Sequence, residues 1–262
     1  MAIQLWQPYP ARESAYTPTV AGTLLIQPDV YSPQLDNSRD VLVYLPPSYG
    51  FSDRRYPVIY MQDGQNLFDS ATSFAGSHWH VDETMDSLAG EGIEAIIVGV
   101  NHANEQRINE YNPFPHFWQG RGDVYLRFLT ETVKAEIDNN FRTRPEREFT
   151  GILGSSMGGL ISVYAYFHAP ETFGFAGVMS PSLWVAGGAI IRAVHDAPFA
   201  PGRIYLDNGT REPSARRLNG LLCKKGYVRD VDLKYVVEQE AEHTESVWAR
   251  RLPDALRFLL PR

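Results

Sequence analysis

Short apolar, β-branched runs alternate with helix-periodic segments along this chain. That alternation constrains the fold more than any other feature. Val58-Ile59-Tyr60-Met61 and Ala95-Ile96-Ile97-Val98-Gly99-Val100 are apolar almost throughout, as strands covered on both faces must be. Phe149–Leu153, Phe175–Ser180, Arg203–Leu206 and Asp232–Val237 continue the series. Gly22–Ile26 and Asp40–Leu45 precede them and predict two antiparallel strands. Helical spacing predicts helices over roughly His80–Leu88, Asp123–Asn140, the stretch up to about His168, and Glu245–Leu260. The expectation is an α/β fold with a mostly parallel central sheet of about eight strands and helices on both faces. One domain is expected over residues 1–262, with 1–38 as an N-terminal extension and first antiparallel strand.

Composition narrows the partners. A formal charge of −7 argues against nucleic acid, which needs clustered Lys and Arg. Cys223 is the single cysteine, so neither an internal disulfide nor a cysteine-based zinc site is expected. It sits near a helix end and reads as a buried structural thiol. His78-Trp79-His80 would splay two rings on one face of a strand, but the sequence suggests no third ligand. No metal and no cofactor are expected. Neither a signal-peptide pattern nor an 18-residue apolar run is present, so the expectation is a cytoplasmic protein with no membrane partner.

The chemistry-bearing motif is Gly154-Ser155-Ser156-Met157-Gly158. It lies between a predicted strand and a predicted helix, the context that Gly-x-Ser-x-Gly requires. A nucleophile there stands on a strained turn, with glycines where side chains would strike the neighbouring strand and helix. Only Ser156 fits the frame, because Ser155 would need glycine where Leu153 and Met157 stand. The Met157 N–H then points where an oxyanion would form. A second donor is expected from the loop Gln62–Asp69, where Gly64 favours the Gln65 N–H, with Asn66 in reserve.

In this arrangement the acid and then the base follow the serine along the chain. His168 reads as a helix C-terminal residue and His195 as a surface helix end. His243 falls between the last strand and the last helix, where a base belongs. Two carboxylates compete as its partner: Asp207, directly after a strand, and Glu212, in Gly209-Thr210-Arg211-Glu212. Arg107, Glu110 and Tyr111 lie on the long loop Asn101–Arg121, either as a salt-bridged anchor or as a substrate-facing rim. Trp184, with Phe114, Phe117 and Trp118, is the candidate aromatic pocket. Trp184, Arg107 and Tyr111 are therefore the candidate substrate-binding residues.

These motifs together resemble an esterase family of α/β-hydrolases that includes esterase D-type, feruloyl, acetyl-xylan and enterobactin-type esterases and mycolyltransferases. The resemblance rests on Tyr56–Asp69, Arg107–Pro113, Gly154–Gly159, Ser180-Pro181-Ser182-Leu183-Trp184, and His243 ahead of Trp248. It implies the α/β-hydrolase fold, Ser156 as nucleophile, His243 as base, Glu212 as the favoured acid, and Gln65 and Met157 as oxyanion donors. Asp63-Gly64 stands where many hydrolases carry His-Gly, and a structural hydrogen bond is the expected role of Asp63. The implied activity is hydrolysis of a small-molecule carboxylic ester through an acyl-enzyme. Acyl transfer on the same scaffold and a non-catalytic binding protein are the alternatives.

Overall fold

Residue parity along the strands divides the core in two. The computed structural model describes residues 6–9, 20–115 and 119–261. Its strands are β1 (Gln7–Pro8), β2 (Thr23–Ser32), β3 (Asn37–Leu45), β4 (Val58–Gln62), β5 (Ile96–Val100), β6 (Thr150–Ser155), β7 (Phe175–Met179), β8 (Arg203–Gly209) and β9 (Leu233–Glu238). Its helices are α1 (Val81–Ala89), α2 (Arg107–Glu110), α3 (Gly122–Arg127), α4 (Lys134–Asn140), α5 (Met157–His168), α6 (Ala189–Asp196), α7 (Arg216–Lys225) and α8 (Glu245–Leu259).

The strands form one sheet in the order β1-β2-β3-β5-β4-β6-β7-β8-β9. The first three strands are antiparallel, and β3 meets β5 antiparallel. From β5 to β9 every pairing is parallel. Successive side chains leave a strand on opposite faces. Val41, Val43, Val58, Tyr60 and Ile152 therefore join one apolar cluster, with residues of α3 to α7. Leu42, Tyr44, Ile59, Met61 and Leu153 join the other, beneath α1 and α8.

Eight strands coincide with the predicted ones, most to within three residues, but β2 runs on to Ser32, well past the predicted end at Ile26. The ninth, β1, has two residues and is too short to carry a periodic signal. The helix predicted over Asp123–Asn140 is continuous, but its middle turn, Phe128–Val133, is π-helical. Phe128, Leu129 and Val133 remain buried there, so apolar spacing alone does not reveal the wider turn.

A buried ion pair ties the antiparallel edge to the long loop. Arg39 donates to both Glu110 oxygens, at 2.7 and 3.1 Å, and Asn37 Nδ2 donates to Oε1 at 2.7 Å. The two charged side chains are 1% and 0% exposed. Removing one partner leaves the other charge buried alone. Glu110→Ala is therefore expected to cost about 3–5 kcal/mol in urea unfolding.

Parallel strands end on the same edge of the sheet. The loops after β4 through β9 converge there, as ligand-binding loops do in open parallel sheets.

Candidate active site

Ser156 occupies the connection between β6 and α5 with φ 56° and ψ −120°. An L-residue pays for that conformation, and such strain persists only where packing over-determines it. Here the Ser156 N–H donates to Met179 O at 3.0 Å, and the Ser182 N–H donates to Ser156 O at 2.9 Å. A Cβ on Gly154 would stand 2.7 Å from the Gly158 backbone, so glycine is required for α5 to start this close to β6. The Ser156 and Ser182 hydroxyls lie 3.2 Å apart. Met157 opens α5, and a helix leaves its first N–H groups without intrahelical partners.

His243 stands on the loop between β9 and α8. Its Nδ1 lies 2.5 Å from Glu212 Oε2, which fixes the tautomer that leaves Nε2 unprotonated in the neutral ring. The ring packs edge-on against Trp248, with centroids 4.8 Å apart. Glu212 is buried, with its side chain 1% exposed. Burial alone would raise its pKa, but hydrogen bonds from His243, Ser180 and Gly209 prevail and hold it below the ordinary value.

Asp207, the competing carboxylate, points elsewhere. Its Oδ1 accepts the Ser180 N–H at 2.8 Å and meets Arg251 at 3.0 Å. Arg251 lies between the two acids. It also reaches Glu212 Oε1 at 3.6 Å and donates to Ser180 Oγ at 3.0 Å. Ser180 Oγ in turn donates to Glu212 Oε1 at 2.7 Å and accepts from Trp248 Nε1 at 3.0 Å. This buried network fixes the carboxylate behind His243.

The loop after β4 forms the opposite wall. Asp63 adopts a left-handed conformation, φ 55° and ψ 50°, and leads into the turn Gly64–Asn66. A Cβ on Gly64 would come within 2.6 Å of the Gly99 backbone, so the turn can approach β5 only through glycine. Arg107 grips both Asp63 oxygens at 2.7 Å. The Asp63 N–H donates to Tyr111 Oη at 3.1 Å. Thr72 Oγ1 donates to Gln65 O at 2.7 Å, and the His102 N–H donates to Gln65 Oε1 at 3.3 Å. Asp63 is thus a structural anchor for the turn, held by Arg107 and Tyr111.

A cleft of about 760 Å³ joins the two walls, lined by Gln65, Arg107, Ser156, His243, Glu245 and Trp248 among others. A serine on such a turn, sharing one cleft with a carboxylate-held imidazole, is an arrangement suited to acyl chemistry. Comparison with known proteins agrees. The sequence model of the family described as "Putative esterase" matches residues 32–259. The chain belongs to this esterase family. The uncharacterized protein YbbA of Bacillus subtilis (strain 168) is 27% identical over 244 residues, 85% of this chain and 92% of that relative. The siderophore triacetylfusarinine C esterase of Aspergillus fumigatus is 30% identical over 135 residues, 49% of this chain and 44% of the relative. Among solved structures, the BES protein from Bacillus cereus superposes with a TM-score of 0.68 at 22% identity, over 89% of this chain and 95% of its own. The ferric enterobactin esterase from Salmonella typhimurium gives 0.73 at 19%, over 94% and 59%. At these identities the structures attest the α/β-hydrolase fold.

Within this esterase the predicted residues divide. Ser156, His243, Gln65 and Arg107 line the cleft, and Glu212 stands behind His243. Two predicted substrate contacts lie outside the cleft lining. Tyr111 is fully buried; it supports Asp63 from below and has no surface to offer a ligand. Trp184 is 60% exposed, just before the helical turn Val185–Gly188, and is not part of the cleft lining. Phe114 packs edge-on against Tyr164, and Phe117 and Trp118 lie outside the described residues. The aromatic lining comes instead from Phe74 and Trp248. His168 stacks on Tyr164 and His195 pairs with Asp196, both away from the cleft. Cys223 is half-buried. Among the described residues no helix is long and apolar enough to cross a membrane.

Sequence reasoning missed Arg251, Ser182, His102 and Glu245. Burial pushes Glu245 up to about 7, and it accepts hydrogen bonds from Trp79 Nε1 and Asn66 Nδ2. Asp207 is likewise raised by burial, to about 7, against the pull of Arg251. Between the ordinary carboxylate range and that value, the folded chain holds protons that the unfolded chain has released. These two groups therefore make stability fall as pH rises through that window. Asp207→Asn is expected to flatten the difference between urea midpoints measured at pH 5 and pH 8.

Proposed function

We propose that this esterase cleaves its substrate through an acyl-enzyme on Ser156, with His243 as general base and acid and Glu212 as the carboxylate that orients it. The observation that carries this reading is the buried Glu212 carboxylate 2.5 Å from Nδ1 of His243, a ring that lines the same cleft as Ser156. His243 Nε2 takes the proton of Ser156 Oγ as the oxygen attacks the ester carbonyl. The Met157 and Gln65 N–H groups, each in the first turn of a helical segment, receive the oxyanion. His243 then protonates the departing alcohol, and water repeats the sequence to release the acid. Arg107 acts through Asp63, keeping the Gly64–Asn66 turn in place.

The cleft lining mixes polar side chains such as Thr72, Ser73 and Ser77 with the apolar Phe74, Ala75 and Trp248, so product analysis with added alcohols is the measurement that separates hydrolysis from acyl transfer. The choice of acid is tested by pairing two variants. Glu212→Gln presents an amide to Nδ1, favours the wrong tautomer, and is expected to lower kcat by roughly 10²–10⁴-fold. Asp207→Asn leaves the His243 contact intact and is expected to lower kcat far less. The reverse ranking would assign the role to Asp207.

A further inference from the structure

The fold closes a cluster that the linear sequence leaves open. His78 and His80 flank Trp79 immediately before α1, and their rings approach to 3.9 Å between centroids. Glu83, in the first turn of α1, brings its Oε1 to 3.3 Å from His80 Nδ1. One ligand atom from each of the three residues lies within 4.8 Å of the others.

The backbone between them is anchored. The Trp79 N–H donates to Asn66 O at 2.9 Å and the Val81 N–H to Leu67 O at 3.2 Å. Trp79 itself is 3% exposed and donates its indole N–H to Glu245. His78 is 9% exposed, whereas the His80 and Glu83 side chains are about half exposed. The arrangement is thus one fixed imidazole with two movable partners in front of it. His80 holds the N-cap position with φ 53°, yet its side chain makes no capping bond. That position ordinarily takes Ser, Thr, Asp or Asn for such a bond. The left-handed turn instead folds the His80 ring back onto His78.

We propose that His78, His80 and Glu83 form a binding site for a divalent transition-metal ion, zinc in the first instance, beside the mouth of the cleft and separate from Ser156. Two imidazoles and one carboxylate are the donor set that zinc accepts, with water completing a tetrahedron. A tetrahedral ion holds its ligands about 3.3 Å apart, so binding requires only rotation of the exposed His80 and Glu83 side chains. Asp82 and Glu83 in the first turn offset the positive end of the helix. The adjacent Ser77 lines the cleft, which places the ion at its rim.

The test is isothermal titration of the untagged full chain with zinc chloride, repeated on His80→Ala and Glu83→Gln. Both substitutions are at exposed positions, and circular dichroism verifies that the variants remain folded. One zinc ion per chain is expected for the wild type, with binding weakened at least about tenfold in each variant. Zinc is also expected to raise the thermal midpoint of the wild type and leave that of His80→Ala unchanged. Absence of stoichiometric binding, or unaltered affinity in His80→Ala, would overturn the proposal. Neither readout depends on ester turnover, so the outcome is independent of the role assigned to Ser156.

Discussion

Ser156→Ala is expected to lower turnover of p-nitrophenyl acetate by roughly 10⁴–10⁶-fold while leaving the fold intact. The nucleophile and its base act as a unit, so losing either removes the covalent route altogether. What remains is the contribution of binding and of the oxyanion donors, which the substitution spares. Alanine is smaller than serine, and the main-chain bonds that pin this turn, to Met179 O and from the Ser182 N–H, do not involve the side chain. A thermal midpoint close to that of the parent should therefore accompany the collapse in rate. Ser182 Oγ, 3.2 Å away, is no substitute, because it stands on no comparable turn at the start of a helix. Retention of more than a small fraction of activity would show that the chemistry lies elsewhere in the cleft.

Arg251→Met should cost about 3–5 kcal/mol in urea unfolding at pH 8. The substitution keeps much of the side-chain volume but strips the cation from a network with almost no solvent. Asp207 is fully buried and loses its ion pair, and Glu212 loses a neighbouring charge. Asp207 already lies near 7 through burial, so without Arg251 it neutralises by taking up a proton. That escape becomes more costly as pH rises, so the loss should be smaller at pH 6 than at pH 8. Replacing both partners by apolar residues, Arg251→Met with Asp207→Leu, should recover much of the deficit, because removing a whole buried pair costs far less than breaking it. Activity should fall in the single variant beyond what lost stability explains, because Arg251 and Ser180 together position the carboxylate behind His243.

The sheet was legible because parallel strands buried on both faces leave short apolar runs, and Val58–Met61 and Ile96–Val100 are plain examples. Ser156 and His243 were singled out by position, on a glycine-flanked strand-to-helix turn and on the last strand-to-helix loop, and the fold brings both to one cleft. Glu212 and Asp207 could not be separated by sequence alone. Both follow β8 closely, and only the three-dimensional course of Gly209–Glu212 aims one at His243 and leaves the other beneath Ser180. Tyr111 reads as a surface aromatic on a loop, and only packing shows it buried under Asp63.

Arg251 did carry a signal. It sits on the apolar stripe of α8 with Val247, Ala255 and Leu259, where a lone cation demands a buried acid. The π-helical turn at Phe128–Val133 left no such mark, since its apolar residues fit ordinary helical spacing. Glu83 became a neighbour of His78 only through the left-handed turn at His80, a conformation that no local pattern announces.

Covalent capture tests the central claim most directly. The wild-type esterase would be treated with a fluorophosphonate probe, and the site of attachment read by peptide mass spectrometry. One adduct per chain, on Ser156, with no labelling of Ser156→Ala, is the predicted result. Attachment to another residue, or undiminished ester turnover after Ser156 has been fully modified, would contradict it.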